Sequence, residues 1–313
     1  MSEARIPNST YRLQFGRAMR FVDARELVPY LHGLGIGDLY ASPRFAARRG
    51  STHGYDVANP GRVNSELGTE EEFSELGEKL GQYRMGLLLD IVPNHMAASR
   101  ENHWWMDVLE HGPASPHAKY CDINWHPVTT KAQFLQENRV LLPVLGDLYG
   151  RALQRGEFTL SLEDTGLFVK YYERRFPLDA KTWGPLLDAA LEKLTARGAE
   201  GGRLREARGL VEKMPGRTET AAARVKRRRK LSEQARTLTF GEYRDSTEAR
   251  AALDETMREV EGDKDRLHML LDAQAYRLAS WRIAFEEINY RRFFDINDLV
   301  RLRVEDEEVF RQR

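Results

Sequence analysis

The sequence predicts an α/β chain that opens on a parallel sheet. Strand-like apolar runs alternate with capped, helix-like segments through the first hundred residues. The third run, Met85-Gly86-Leu87-Leu88-Leu89-Asp90-Ile91-Val92, is nearly apolar throughout, as strands buried on both faces of a parallel sheet are. Strand, helix, strand, helix, strand with right-handed crossovers is how both (β/α)8 barrels and doubly wound sheets begin. In either, chemistry gathers beyond the C-terminal ends of the strands.

The elements follow in order. Ser9-Thr10-Tyr11-Arg12-Leu13 is β-branched and aromatic enough for a strand after Pro7. Asp23 can cap a helix with Leu27, Tyr30, Leu31 and Leu34 on its apolar face and Gly33 and Gly35 as stops. Pro29 within it predicts a later start or a kink. Ile36 to Ala41 reads as the second strand, closed by Ser42-Pro43, and Arg44 to Gly68 reads as a loop. Thr69 and Glu72 form a T-x-x-E capping box for a helix bearing Phe73, Leu76 and Leu80. From His103 to Arg175 the rhythm is lost among Trp104, Trp105, Trp125, Tyr171, Tyr172 and short strand-like pieces such as residues 166–171, which predicts an inserted subdomain. Pro185 suits the first turn of a helix carrying Leu186, Leu187, Ala190, Leu191 and Leu194, broken by Gly198 to Gly202. Residues 224–230, RVKRRRK, read as a solvated helix face, because no aromatics are interleaved and acidic residues flank them. From Asp263 the spacing of Leu267, Leu270, Leu271, Leu278, Trp281, Phe285 and Ile288 predicts a long helix.

Composition narrows the function classes. The 313 residues carry 48 basic and 48 acidic side chains, a formal charge of zero, which argues against a general nucleic-acid or anionic-membrane surface. No apolar run approaches the roughly 20 residues of a membrane span. The opening MSEARIPNSTYRLQFGR lacks an apolar signal core, and the single Cys121 cannot form an internal disulfide, so a cytoplasmic setting is expected.

Two stretches carry candidate chemistry. Asp90-Ile91-Val92-Pro93-Asn94-His95 places a carboxylate at the end of an apolar strand, then an amide and an imidazole just past it. A charged Asp there carries a desolvation cost unless it is paired, so it serves either a site or the loop backbone. His53-Gly54-Tyr55-Asp56 lies in the loop after the second strand. A flat ring among polar groups suits sugars, whose faces are apolar and whose edges are hydroxyls; a surface turn packed by Tyr55 is the structural alternative. Because the two stretches follow consecutive strands, they can face one pocket. Seven of eight histidines fall between His32 and His126, yet His95, His103, His111 and His117 lack compact ligand spacing, so no metal or other cofactor is expected. Asn94 could offer Ca²⁺ one oxygen of the six to eight such a site needs. No P-loop, dinucleotide-binding or nucleophile-elbow stretch occurs.

Asp90-x-x-x-Asn94-His95 resembles a signature region of the α-amylase superfamily, at the end of the third barrel strand. Further stretches resemble the maltooligosyl trehalose synthases: STYRLQF (9–15), LGIGDLYASP (34–43), GSTHGYDVANP (50–60), LLDIVPNH (88–95), ENHWWMDVLEHGP (101–113), YYERRFPL (171–178) and INYRRFFDINDL (288–299). The resemblance implies an intramolecular transglycosylation that turns the reducing-end α-1,4 linkage of a maltooligosaccharide into an α,α-1,1 linkage. It implies that Tyr55 stacks on the sugar, His95 hydrogen-bonds its hydroxyls, and Asp90 and Asn94 support the site, to which His53 and Asp56 supply the polar groups beside Tyr55. It also implies a trehalose-releasing hydrolase acting on the product.

Retaining glycosyl transfer needs a carboxylate nucleophile and a carboxylic acid about 5–5.5 Å apart. The superfamily's G-x-R-x-D-H nucleophile stretch does not occur here. Asp295, Asp298 and Glu305 are acidic and near the end, but none sits in that motif. The resemblance therefore implies that nucleophile, acid and third carboxylate lie beyond Arg313, and that the chain is part of a longer enzyme, inactive alone. The expected fold is an incomplete (β/α)8 barrel of the α-amylase type. Its first three βα units span residues 1–100, an inserted subdomain 101–180 and a helical segment 181–313. A glucan hydrolase of the same superfamily and a non-catalytic glucan-binding fragment remain as alternatives.

Overall fold

The computed structural model describes residues 6–127 and 137–312. Residues 1–5 of the opening stretch and 128–136 of the expected subdomain lie outside the described residues, as does the side chain of Phe285. The chain divides into two compact units, Met1–His103 with Arg292–Arg313, and Trp104–Arg291.

The first unit is built on β1 (Thr10–Leu13), α1 (Phe21–Gly33), β2 (Asp38–Ala41), β3 (Phe45–Ala47), β4 (Val57–Val63), α2 (Glu70–Gln82), β5 (Gly86–Leu89) and β6 (His95–Ala97). Strands β1, β2 and β5 form a parallel three-stranded sheet in that order, with α1 and α2 as the crossovers. The α2 capping box forms as the sequence predicts: Glu72 N–H donates to Thr69 Oγ1 at 3.1 Å and Thr69 N–H to Glu72 Oε2 at 2.9 Å. Phe21, Val28, Leu31, Leu39, Leu76 and Leu80 are buried together, each worth about 1.5–3 kcal/mol of transfer free energy.

Several expectations change. Helix α1 starts two residues before Asp23, which serves as its third residue in a capping box with Arg20, and Pro29 lies inside it. Its buried face is Phe21, Ala24, Val28 and Leu31, whereas Tyr30 and Leu34 face solvent. The loop from Arg44 to Gly68 contains the antiparallel pair β3–β4, which Pro60 and Gly61 hide from propensity. Strand β5 is an edge of its sheet rather than a strand covered on both faces, and Leu88, Leu89 and Ile91 are exposed. Within this unit the Leu299–Arg301 strand pairs antiparallel with β6, and no closed barrel is present among the described residues.

The second unit contains α3 (His103–His111), β7 (Val140–Leu145), α4 (Tyr149–Gln154), β8 (Phe158–Glu163), β9 (Gly166–Tyr171), β10 (Arg174–Pro177), α5 (Gly184–Ala196), α6 (Gly202–Glu212), α7 (Ala222–Asp245), α8 (Thr247–Gly262), α9 (Lys264–Asp272) and β11 (Tyr276–Ser280). Strands β8, β9 and β10 form an antiparallel meander, while β11 pairs parallel with β7. The long helix predicted from Asp263 is thus wrong. Asp263 caps α9, which ends at Asp272, and the chain then turns into β11, where pairing with β7 overrides the helical spacing of Leu278 with the leucines before it.

The basic run 224–230 is not wholly a solvated face. Arg228 is fully buried, donating from Nη2 to Asp179 Oδ1 at 2.6 Å, from Nη1 to Pro215 O at 2.6 Å and from Nε to His111 Nδ1 at 3.3 Å. Buried Glu110 takes Ser232 and Arg236 as partners. Burial alone pushes the Glu110 carboxyl up, but His111, Arg236 and Ser232 outweigh it and hold the group below its ordinary value. Among the described residues no helix is long and apolar enough to cross a membrane.

Candidate functional site

The C-terminal ends of β2 and β5 carry the candidate residues, all within the first unit. After β2, Gly54 turns the chain at φ +77°, and a Cβ there would meet the Pro43 carbonyl oxygen at 3.0 Å, so only glycine fits without strain. The turn is tied by Gly54 N–H donating to Ser51 Oγ at 3.0 Å, while Ser51 Oγ–H donates to Asp56. Tyr55 N–H donates to His53 Nδ1 at 3.0 Å, and the two rings stack with centroids 5.9 Å apart. This fixed turn presents the Tyr55 ring.

The Tyr55 hydroxyl donates to Asp90 Oδ2 at 2.7 Å and accepts from Arg12 Nη2 at 3.1 Å. Tyr40 also donates to Asp90 Oδ2, at 3.2 Å, and Arg12 Nη1 stands 3.5 Å from the same oxygen. Asp90 thus meets its desolvation cost with a guanidinium from β1, a phenol from β2 and the phenol of the Tyr55 turn. The hydrogen bond to Asp90, with burial adding, holds the Tyr55 phenol above its ordinary value, so it remains a neutral donor at physiological pH.

His95 opens β6 and is 3% exposed. Its Nε2 lies 3.1 Å from Tyr55 O, and because a carbonyl only accepts, Nε2 carries the proton. Asn94 Nδ2 stands 3.5 Å from Nδ1, and Phe293 packs on the ring at 4.3 Å between centroids. The imidazole therefore anchors the backbone of the Tyr55 turn.

Arg48, His53, Tyr55, Asp56, Asn94, His95, Phe293 and Asp298 are among the residues around a cavity of about 680 Å³, within the range of small-molecule sites. Asp90 lies behind this wall rather than in it. Asp298 accepts from Arg48 Nη1 at 3.1 Å; Asp295 is paired with Arg292 and largely exposed. No cluster of three or more His, Cys, Asp or Glu residues suited to a metal occurs among the described residues.

Residues 25–143 match the α-amylase catalytic-domain family. A Mycobacterium tuberculosis protein named as a maltooligosyl trehalose synthase is 41% identical over 145 residues, 44% of this chain and 18% of that protein. The maltooligosyltrehalose synthase structure from Arthrobacter ramosus superposes with a TM-score of 0.62 and 31% identity, covering 98% of this chain and 28% of that one. The chain resembles the maltooligosyl trehalose synthases. The α-amylase SusG of Bacteroides thetaiotaomicron is 33% identical over 100 residues, 32% of this chain and 14% of that protein. The chain therefore spans less than a third of the length of these relatives, and its α/β fold is of the α-amylase type.

Sequence reasoning missed Arg12, Tyr40, Arg48 and Phe293. Arg12 carried a signal, a lone cation inside an otherwise apolar and aromatic strand, which calls for a carboxylate partner. Phe293 belongs to the INYRRFFDINDL stretch that carries the resemblance, but nothing in its spacing points to His95.

Proposed function

We propose that the chain supplies the sugar-gripping wall of an α-glucan site. The reaction it serves is the intramolecular transfer that converts the reducing-end α-1,4 linkage of a maltooligosaccharide into an α,α-1,1 linkage. The observation that carries this reading is the convergence of Tyr55, its Asp90–Arg12 support and His95 on one cavity, in a chain resembling the synthases. In this reading Tyr55 is the stacking ring, His53 and Asp56 meet sugar hydroxyls, and Asp90, Asn94 and His95 hold the wall in shape. The parallel strands β1, β2 and β5 are the first three of a barrel, and the exposed apolar side chains of β5 belong to its unclosed edge. The product is consumed by a trehalose-releasing hydrolase, in the cytoplasm.

The carboxylates around the cavity are already engaged: Asp56 by Ser51, Asp298 by Arg48, with Asp90 held behind the wall by Arg12, Tyr40 and Tyr55. With no G-x-R-x-D-H stretch in the sequence, this chain alone binds glucan without forming a glycosyl-enzyme intermediate. The test is to incubate the purified chain with maltopentaose and follow products by chromatography. No turnover is expected. Trehalose-ended product in proportion to chain concentration would show a nucleophile and acid within these residues, and free glucose and maltose would favour a hydrolase.

A further inference from the structure

We propose that Phe294 is a stacking platform for a second glucosyl unit of an α-glucan, outside the Tyr55 cavity. The proposal rests on the glucan reading of that cavity and extends it by one sugar position. Phe294 sits in a tight turn closed by Ile296 N–H donating to Phe293 O at 3.2 Å, where Phe293 and Ile296 form an antiparallel bridge. Its backbone has φ +50°, a left-handed conformation that a bulky side chain adopts only where its surroundings impose it. Its ring is nonetheless 80% exposed. Backbone strain and a large apolar ring in water, two unfavourable contributions, coincide at one residue.

The turn holds this arrangement firmly. The Arg292 side chain, only 8% exposed, donates from Nη1 to Asp295 O at 3.2 Å and to Asn297 Oδ1. The Phe294 ring meets Phe293 edge-on at 4.6 Å, and Phe293 lies against His95 in the cavity wall. An aromatic surface thus runs from the cavity out to solvent. Glucose has apolar C–H faces and a polar rim, and an α-1,4 chain repeats that face with every unit. A second ring beside the cavity therefore fits the continuing chain. Asp295, next in the chain and with its side chain 74% exposed, offers a polar group for a sugar's rim, which suits a sugar better than a broad apolar partner.

The test is calorimetric titration of glucose and maltohexaose into the wild-type chain and the Phe294→Ala, Phe294→Gly and Tyr55→Ala variants. Losing one stacking ring should weaken maltohexaose binding about tenfold and leave glucose unchanged in both Phe294 variants. Phe294→Gly accepts φ +50° freely, so its melting temperature should hold or rise, which separates lost affinity from unfolding. If the Phe294 variants bind maltohexaose as the wild type does, or lose glucose equally, the platform is overturned. If Tyr55→Ala changes nothing while Phe294→Ala still weakens maltohexaose, the cavity reading fails and the platform stands.

Discussion

Each compact unit holds a carboxylate against a guanidinium, in opposite settings. In the first unit Arg12 stands 3.5 Å from Asp90, with side-chain exposures of 35% and 15%, and two phenols complete the shell. In the second unit Arg228 lies 2.6 Å from Asp179 with exposures of 0% and 3%, and the remaining guanidinium donors go to a backbone carbonyl and an imidazole. The sealed pair has no room for a ligand and pins the Ala180–Thr182 helical turn that Asp179 caps, the α7 helix and the end of α3 to one another. The half-open pair fixes a tyrosine ring at the edge of a cavity. The same two chemical groups make a structural fastener when water is excluded and a site support when it is not.

The comparison is broken most directly at Arg228. Arg228→Met leaves Asp179 charged and unpaired in a dry interior, and losing one partner of a buried pair costs about 3–5 kcal/mol. Urea denaturation followed by the fluorescence of buried Trp183 should show that loss. A change under about 1 kcal/mol would mean that the sealed pair contributes no more than a surface pair does.

At the half-open centre the large effect should fall on ligand rather than on stability. Tyr55→Ala removes the ring and frees Asp90 and Arg12 to reorient towards water, so melting temperature should move by only a few degrees. Glucan turnover in a complete enzyme should fall on the order of 100-fold, the scale of a misplaced reacting group. A collapse of folding with Tyr55→Ala would make the phenol a fastener like Arg228.

Gly54→Ala sharpens the contrast by moving the ring while leaving its chemistry intact. The new Cβ meets the Pro43 carbonyl at 3.0 Å and the left-handed φ of +77° adds strain, together about 1–2 kcal/mol. Thermal denaturation should show that modest loss, accompanied by weaker maltohexaose binding as the Tyr55 turn shifts. Unchanged binding would show that the turn does not set the ring's position.

Legibility in the sequence follows how local each cause is. The Thr69–Glu72 box and the α5 start at Pro185 depend on neighbours in the chain, and both form as the sequence predicts. Asp90, Tyr55 and His95 stand out because each is conspicuous where it sits, a charge after an apolar strand or a ring in a polar loop. Arg12 and Phe293 are hidden because their meaning lies in partners far along the chain. Arg228 is hidden for a different reason: a run of six cations looks uniform, and only packing singles out the one turned inward. Strand β5 misleads most, since an apolar run states what a strand can bury and not what covers it.

The smallest predicted effect concerns Tyr149, the counterpart in the second unit of the Tyr55 phenol. Burial, with Asp272 adding and Arg277 opposing, pushes the Tyr149 phenol up to about 12, and its hydroxyl lies 3.0 Å from His268 Nδ1. A folded-state value raised above the ordinary 10 means the neutral phenol is favoured by folding. That stability is fully present below pH 10 and is lost as pH rises towards 12. Because the group is partly exposed, solvent screening limits the contribution to about 1 kcal/mol. Melting temperatures between pH 8 and pH 12 should therefore fall more steeply for the wild type than for Tyr149→Phe, and the two curves should converge at the alkaline end. Tyr55, Tyr243 and Tyr276 are also raised and give both proteins the same alkaline background, so only the difference between the curves belongs to Tyr149. Parallel curves would show that the Tyr149 phenol titrates alike in the folded and unfolded chain, and that of the two ring hydroxyls only the one on Asp90 is held by its surroundings.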